Sequence, residues 1–326
     1  MKVMVPDYLA ESLLPQLRRA DPAIDLSPIS AEGRYEGGLE DLEVLFKFYP
    51  DARFPTVFGA EVLRDILAGA HRLRWIHSGK AGVEDLLIPE LVGSDIVLTN
   101  GAGGPRRAIA ETVLVYILAD AKAVQAHWDY QKAGAWRHLS HRELPGLTVA
   151  VLGLGRIGVE IARLCKALDL RVIGTKRTVG GEPIPWVDEV LPSSRQEECV
   201  AAADYVVVAA ALTPESRGMV GASTFNAMKR DAVLINVARG AIVDERALVE
   251  AMQAGEIRGA CLDVFEQEPL PSDHPFYTLP GVVVTPHNSP DSQSVMAHMV
   301  GIFVENFRHF CAGEPLLNVV NKQAGY

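Results

Sequence analysis

The 326-residue chain is 48% hydrophobic and carries 41 acidic against 31 basic residues, a net charge of −10. That length accommodates about two domains with sizeable cores, and the negative balance, with no Lys/Arg run, argues against nucleic acid or an anionic membrane as a partner. Cys165, Cys199, Cys261 and Cys311 stand far apart, with no CxxC and no Cys/His cluster, so they read as free thiols of a reducing compartment and no metal site is expected. The N-terminal MKVMVPDYLAESL lacks the apolar core of a secretory signal, and no apolar run reaches membrane-spanning length. A soluble, cytoplasmic protein is expected.

Residues 2–5 form a strand pattern, and 10–17 a helix pattern after the Pro6-Asp7 turn. Residues 42–46 are extended, 58–67 helical, and 73–77 extended again, running into Ser78-Gly79-Lys80-Ala81-Gly82. A short strand at 96–99 is closed by a glycine-rich loop at 100–104. This alternation predicts a small α/β unit over the first hundred residues. Phe46-Lys47-Phe48-Tyr49 suits either the lining of a roomy apolar pocket or a hydrophobic core. Residues 109–128 carry the longest helical pattern, apolar over more of its circumference than a surface helix needs. That helix is expected to link two α/β units and to meet a second subunit, with 134–145 following as a polar connector.

From residue 147 onward apolar strands recur at 147–152, 171–174, 189–191, 205–209, 232–237, 259–262 and 282–285, most of them separated by helices. This is the pattern of a doubly wound, Rossmann-type parallel sheet. Residues 292–311 form a final amphipathic helix, and 313–326 a tail expected to return to the first unit. The expected architecture is α/β: a Rossmann-type dinucleotide-binding domain over 101–289 inserted into a smaller flavodoxin-like substrate domain made of 1–100 and 290–326.

Residues 147–158 read LTVAVLGLGRIG, a strand, a glycine turn and a helix start. Gly153 suits the tight turn, Gly155 a close approach of backbone to a pyrophosphate, and Gly158 close packing of helix on strand. The N–H groups at the helix start, Arg156, Ile157 and Gly158, would take the phosphates.

Ligands of an open α/β sheet bind beyond the carboxyl ends of its strands. That rule selects Arg239 after 232–237, Asp263 with Glu266 or Glu268 after 259–262, and His287 after 282–285. Asp263 ends a buried strand, where an acid needs a partner. Glu266 and Glu268 compete on equal terms, whereas His274, in PSDHPF, reads as solvated. Beside a nicotinamide such a set reduces a carbonyl. A protonated His287, its cationic form favoured by a nearby carboxylate, gives the proton. The fork of Arg239 suits a carboxylate and its neighbouring keto oxygen. The substrate implied is a 2-oxo acid, interconverted with a 2-hydroxy acid. In the first unit the loop at 78–82 offers backbone N–H groups as an anion nest for the substrate carboxylate.

The stretches SGKAGVE (78–84), AIAETVL (108–114), ELPGLTVAVLGLGRIG (143–158), LTPESRGMVG (212–221), INVARGAIVDERAL (235–248), LDVFEQEPLP (262–271), TPH (285–287) and GEPLLNVVN with the terminal GY (313–326) together resemble the D-isomer-specific 2-hydroxyacid dehydrogenases over essentially the full length. The resemblance implies Arg239 as substrate-binding and catalytic, His287 as acid/base, and Glu268 rather than Glu266 as its partner. It also implies Asp263 near the nicotinamide, Val237 and Ala238 along the cofactor cleft, and Gly79, Lys80 and Ala81 at the substrate carboxylate. A homodimer joined around 105–140 is implied as well.

Two departures bear on specificity. The second strand of an NAD site usually ends in an acid on the ribose 2′-OH; here it runs into Thr175-Lys176-Arg177-Thr178, which suits a 2′-phosphate. NADP is therefore the expected cofactor, with NAD the alternative. After His287 stands Asn288-Ser289-Pro290-Asp291, where many relatives have a small glycine-containing turn, a change that would reshape the pocket floor. The length leaves no room for an added regulatory domain, which points from phosphoglycerate towards glyoxylate or hydroxypyruvate. The rival readings are a corepressor-like, NAD(H)-sensing binding protein on the same fold, or a phosphoglycerate, formate or phosphite dehydrogenase.

Overall fold

The computed structural model describes residues 1–49, 57–180 and 182–325; Tyr326, the end of the tail read from the sequence, lies outside them. The chain divides into two compact units, Met1–Gly104 with Ser292–Tyr326, and Pro105–Asp291.

The first unit runs β1 (Lys2–Pro6), α1 (Ala10–Leu17), β2 (Asp25–Ile29), β3 (Leu42–Lys47), α2 (Ala60–Gly69), β4 (Trp75–Ser78), α3 (Pro89–Val92) and β5 (Val97–Asn100). The strands pair in parallel in the order β2-β1-β3-β4-β5, the flavodoxin-like arrangement. β2 has no counterpart in the sequence pattern. Its DLSPI contains a proline, which only an edge strand tolerates readily, and β2 is an edge. Phe46, Phe48 and Tyr49 are at most 2% exposed, so they build the core rather than a pocket. Phe46 stacks on Phe303 of the C-terminal helix (Gln293–Ala312) with ring centroids 4.1 Å apart, and Trp75 packs on Phe303 and Phe310. The tail returns to this unit: Val319 bridges Thr99, and Lys322 Nζ donates to the carbonyls of Leu91, Ser94 and Ile96.

His77 lies inside this aromatic cluster, with Nδ1 2.7 Å from the Thr99 hydroxyl and Nε2 without a hydrogen-bond partner among the described residues. Burial holds the imidazole neutral and pulls it down to about 3. The unfolded chain takes up that proton below about 6.5. Stability from His77 is thus fully present above pH 6.5 and is lost as pH falls towards 3. The slope is about 1.4 kcal/mol per pH unit, or about 2 kcal/mol by pH 5. Urea unfolding at about pH 7.5 and pH 5 measures this loss. His77→Phe, which keeps an aromatic ring in the cluster, is expected to remove that part of the pH dependence; an unchanged acid loss in the variant would exonerate His77.

The second unit runs α4 (Arg106–Ala121), α5 (Val124–Lys132), β6 (Thr148–Leu152), α6 (Arg156–Lys166), β7 (Arg171–Lys176), β8 (Glu189–Pro192), α7 (Gln196–Ala201), β9 (Tyr205–Val208), α8 (Ala222–Ala227), β10 (Val233–Asn236), α9 (Glu245–Ala254), β11 (Gly259–Leu262) and β12 (Val282–Val284). Its seven parallel strands follow the order β12-β11-β10-β9-β6-β7-β8, the doubly wound Rossmann arrangement. Successive residues of each strand feed opposite layers. Val149 and Val151 pack with Val113, Ile117 and Ile161 of α4 and α6, whereas Ala150 and Leu152 pack with Val200, Phe225 and Leu248 of α7, α8 and α9. Burial on both faces is why these strands read as unbroken apolar runs. The single helix expected over 109–128 is two helices, because Ala123 adopts a left-handed conformation, φ +50°, that ends α4 and redirects the chain into α5.

Candidate active site

The order of the second sheet reverses between β6 and β9, and the turn after β6 lies at that switch point. Gly153 has φ +108°, and a Cβ there would stand 2.6 Å from the backbone of Ala210. A Cβ on Gly158 would collide with the Gly153 carbonyl, so glycine lets α6 start hard against the turn. Gly155, which caps α6, differs: a Cβ there would meet nothing within 4 Å. Open space before the first turn of a helix, where the N–H groups of Arg156, Ile157 and Gly158 point along the axis, is a cradle that fits a pyrophosphate. The end of β7 is tied to the same turn, since the Thr175 carbonyl accepts from Gly153 N–H and Leu154 N–H at 3.2 and 2.9 Å. Lys176, the last residue of β7, and Arg177 are exposed there; Arg177 lies 3.6 Å from Glu215.

On the other side of the switch, the ends of β10, β11 and β12 carry the selected polar residues. After β10 the buried Asn236 side chain clamps the turn, accepting from Ala238 N–H and donating to the Arg239 carbonyl, both at 3.1 Å. Val237 and Ala238 are buried within it. Arg239 is extended and its guanidinium donates to the Ala238 carbonyl at 2.7 Å. A side chain at Gly240 would collide with the backbone of Phe265, so this glycine admits the loop after β11. In that loop Phe265 N–H donates to Glu268 Oε1 at 3.0 Å, leaving Oε2 2.7 Å from His287 Nδ1. Burial raises the Glu268 carboxyl, but the hydrogen bonds from His287 and Phe265, with the charges of His287 and Arg239, outweigh it and hold the group below the usual carboxylate range. The structure therefore brings Glu268, not Glu266, to His287. Glu266 is instead held by its backbone, which donates to Glu245 at 2.8 Å. His274 is not solvated as its loop suggested: it is half-buried, packs on Phe276 and lies 3.6 Å from Glu245.

Asp263 is fully buried. Its Oδ1 accepts from the Thr285 hydroxyl at 2.5 Å and from Asn288 N–H at 3.1 Å, and its Oδ2 from Ser289 N–H at 3.0 Å. Both oxygens thus hold the turn that carries His287. The departure at 288–291 is likewise part of that anchorage, since the first two of its residues supply the N–H groups.

In the first unit, the loop after β4 is held on its own sheet. Gly79 N–H donates to the Lys47 carbonyl at 2.8 Å and Lys80 N–H to the Ser78 hydroxyl at 3.3 Å, while the Ala81 carbonyl accepts from Asn100 at 2.8 Å. A Cβ on Gly79 would collide with Phe48, which backs the loop. The anion nest expected there is narrower than the sequence suggested, because two of its donors hold the loop itself.

Residues 114–289 match the family model described as D-isomer specific 2-hydroxyacid dehydrogenase, NAD binding domain. The chain belongs to this family. A D-3-phosphoglycerate dehydrogenase of Methanocaldococcus jannaschii is 31% identical over 98% of the chain, which spans 59% of that relative's length. A D-isomer specific 2-hydroxyacid dehydrogenase of Xanthobacter autotrophicus, solved with NADPH and MES, superposes with a TM-score of 0.83 at 30% identity, covering 100% of this chain and 99% of that one. An NADPH-dependent glyoxylate/hydroxypyruvate reductase of Sinorhizobium meliloti, solved with NADP and sulfate, gives 0.82 at 29% identity over the same shares. Asn236, Tyr116 and Thr285 are polar residues that the strand-end rule does not select; their signal is a polar group inside an otherwise apolar strand or helix.

Proposed function

We propose that this chain reduces a small 2-oxo acid to the D-2-hydroxy acid with NADPH, glyoxylate and hydroxypyruvate being the leading substrates. The observation that carries the reading is the Glu268–His287 pair at 2.7 Å on strand ends beside the Arg239 turn. With Nδ1–H given to Glu268, the imidazolium offers its Nε2 proton to the developing alkoxide. The anionic carboxylate fixes the orientation of the ring. The Arg239 guanidinium binds the substrate carboxylate and polarises the keto oxygen. When bound, the reduced nicotinamide supplies the hydride. Gly153, Gly155, Arg156, Ile157 and Gly158 hold its pyrophosphate, and Lys176 with Arg177 the 2′-phosphate. Support for NADPH comes also from the two relatives solved with NADPH or NADP.

The functional unit is proposed to be a homodimer joined through 105–140. α4 buries Ile109, Val113, Tyr116 and Ile117 against its own sheet, yet Val115 remains 61% exposed and Leu118 points outward, with Trp128 and Trp136 (98% exposed) following. A second copy covers such apolar surface.

The test is cofactor oxidation by the purified protein with NADPH and, separately, NADH. The acids are glyoxylate, hydroxypyruvate, pyruvate and phenylpyruvate, with oxidation of D-3-phosphoglycerate run in parallel. The expected result is reduction of glyoxylate or hydroxypyruvate, several-fold faster with NADPH. Faster turnover of the phosphorylated acid would overturn the substrate assignment, and cofactor binding with no turnover of any acid would overturn the enzymatic reading.

A further inference from the structure

His287 is a non-glycine residue with φ +52°, in the left-handed region. Such a conformation persists only where the surroundings over-determine it. Glu268 holds the ring. The two peptide groups that follow, at Asn288 and Ser289, are held by the carboxylate of Asp263. That carboxylate is buried and is in turn fixed by the Thr285 hydroxyl, whose hydrogen goes to Oδ1 at 2.5 Å. The Thr285 oxygen is then left to accept, and its neighbour is the phenol of Tyr116 on α4, also at 2.5 Å. Tyr116 is nearly buried, and burial pushes its phenol up to about 12, so it stays a donor at neutral pH. The polarity of the chain is thereby set: Tyr116 O–H donates to Thr285, Thr285 O–H donates to Asp263, and the Asn288 and Ser289 N–H groups of the turn donate to the same carboxylate.

We infer that Tyr116 and Thr285 are positioning residues that hold the His287 turn in its strained conformation, through the Asp263 carboxylate. The consequence for catalysis rests on the reading of His287 as the proton donor. A proton donor displaced by about 1 Å loses about 10²-fold in rate. Removing the Thr285 hydroxyl takes one of three donors from a buried carboxylate, and Asp263 can recover it only by letting go of the geometry that pins residues 288 and 289. Removing the Tyr116 hydroxyl loosens the chain one link further away, with a smaller effect.

The test uses Thr285→Val, Thr285→Ser and Tyr116→Phe in the full chain. Backbone hydrogen exchange at Asn288 and Ser289 is measured beside kcat and KM for NADPH-linked reduction. Thr285→Val is expected to speed exchange at these two positions about tenfold or more and to lower kcat about 10²-fold, with KM for the cofactor changed by less than about threefold. Thr285→Ser is expected to restore both readouts, and Tyr116→Phe to fall between. If Thr285→Val does not fold, Tyr116→Phe, which removes a single oxygen, carries the comparison. Exchange at 288 and 289 equal to the parent's in the folded variants would overturn the inference. Faster exchange with unchanged kcat would sustain the positioning role and sink the reading of His287 as acid, and His287→Gln would then also turn over normally.

Discussion

Replacing His287 by Gln is expected to lower kcat for 2-oxo acid reduction by about 10²–10⁴-fold, the range that general acid catalysis contributes. Gln can still pair with Glu268, so the turn keeps a partner, but it has no proton to transfer. NADPH affinity, read from cofactor fluorescence, should change little, because the glycine turn at 153–158 and the end of β7 are built by other elements. Glu268→Gln should fall short of that loss, at about 10²-fold. The amide has a single acceptor oxygen, so it can take the hydrogen from Nδ1–H only by turning its NH2 towards Phe265 N–H, and it no longer supplies the negative charge that the native carboxyl, held below its ordinary range, presents to the ring. Because the two side chains act as one unit, the double variant should be hardly worse than His287→Gln alone. Turnover within about tenfold of the parent in His287→Gln would place the proton donor elsewhere.

The residues behind that expectation differ in how far the sequence exposes them. Gly153, Gly155 and Gly158 are legible because each answers a separate steric demand: a positive φ, an open approach and a close helix contact. Arg239 and His287 are legible because buried parallel strands announce themselves as apolar runs, and ligands gather beyond their carboxyl ends. The choice of Glu268 over Glu266 is not a local property. It depends on Gly240 admitting the loop and on Phe265 N–H fixing one carboxylate oxygen, both contacts of tertiary origin. The break between α4 and α5 falls on Ala123, a strong helix former, so propensity argues for continuation and packing overrides it. His77, like His287, lies close to the carboxyl end of a strand in a parallel sheet, yet it is stacked in an aromatic core; the strand-end rule selects an edge, not a direction of side chains. Tyr116 and Thr285 are hidden for the opposite reason, being ordinary residues on distant elements that meet only in the fold.

Changing Lys176 to Asp and Arg177 to Ser together is expected to move the ratio of kcat/KM for NADPH over NADH by about 10²–10⁴-fold towards NADH. Each charge-assisted contact with a phosphate contributes about tenfold to a hundredfold. An acid at the end of the second strand would supply the partner for a free ribose 2′-OH and repel a 2′-phosphate. The geometry favours recruitment of both cations. Lys176 closes β7, whose Thr175 carbonyl is bonded to the glycine turn, so the end of the strand and the pyrophosphate cradle are held as one piece. Arg177 rests against Glu215 in a solvent-exposed pair at 3.6 Å, a contact that contributes little and yields easily to a better anion. Arg177→Ser alone should therefore give an intermediate ratio, and the parent's preference for NADPH should weaken as salt is raised, whereas its use of NADH should not. A parent that favours NADH, or a double variant that leaves the ratio unchanged, would show that these two cations face solvent and that the 2′-position is read by other residues.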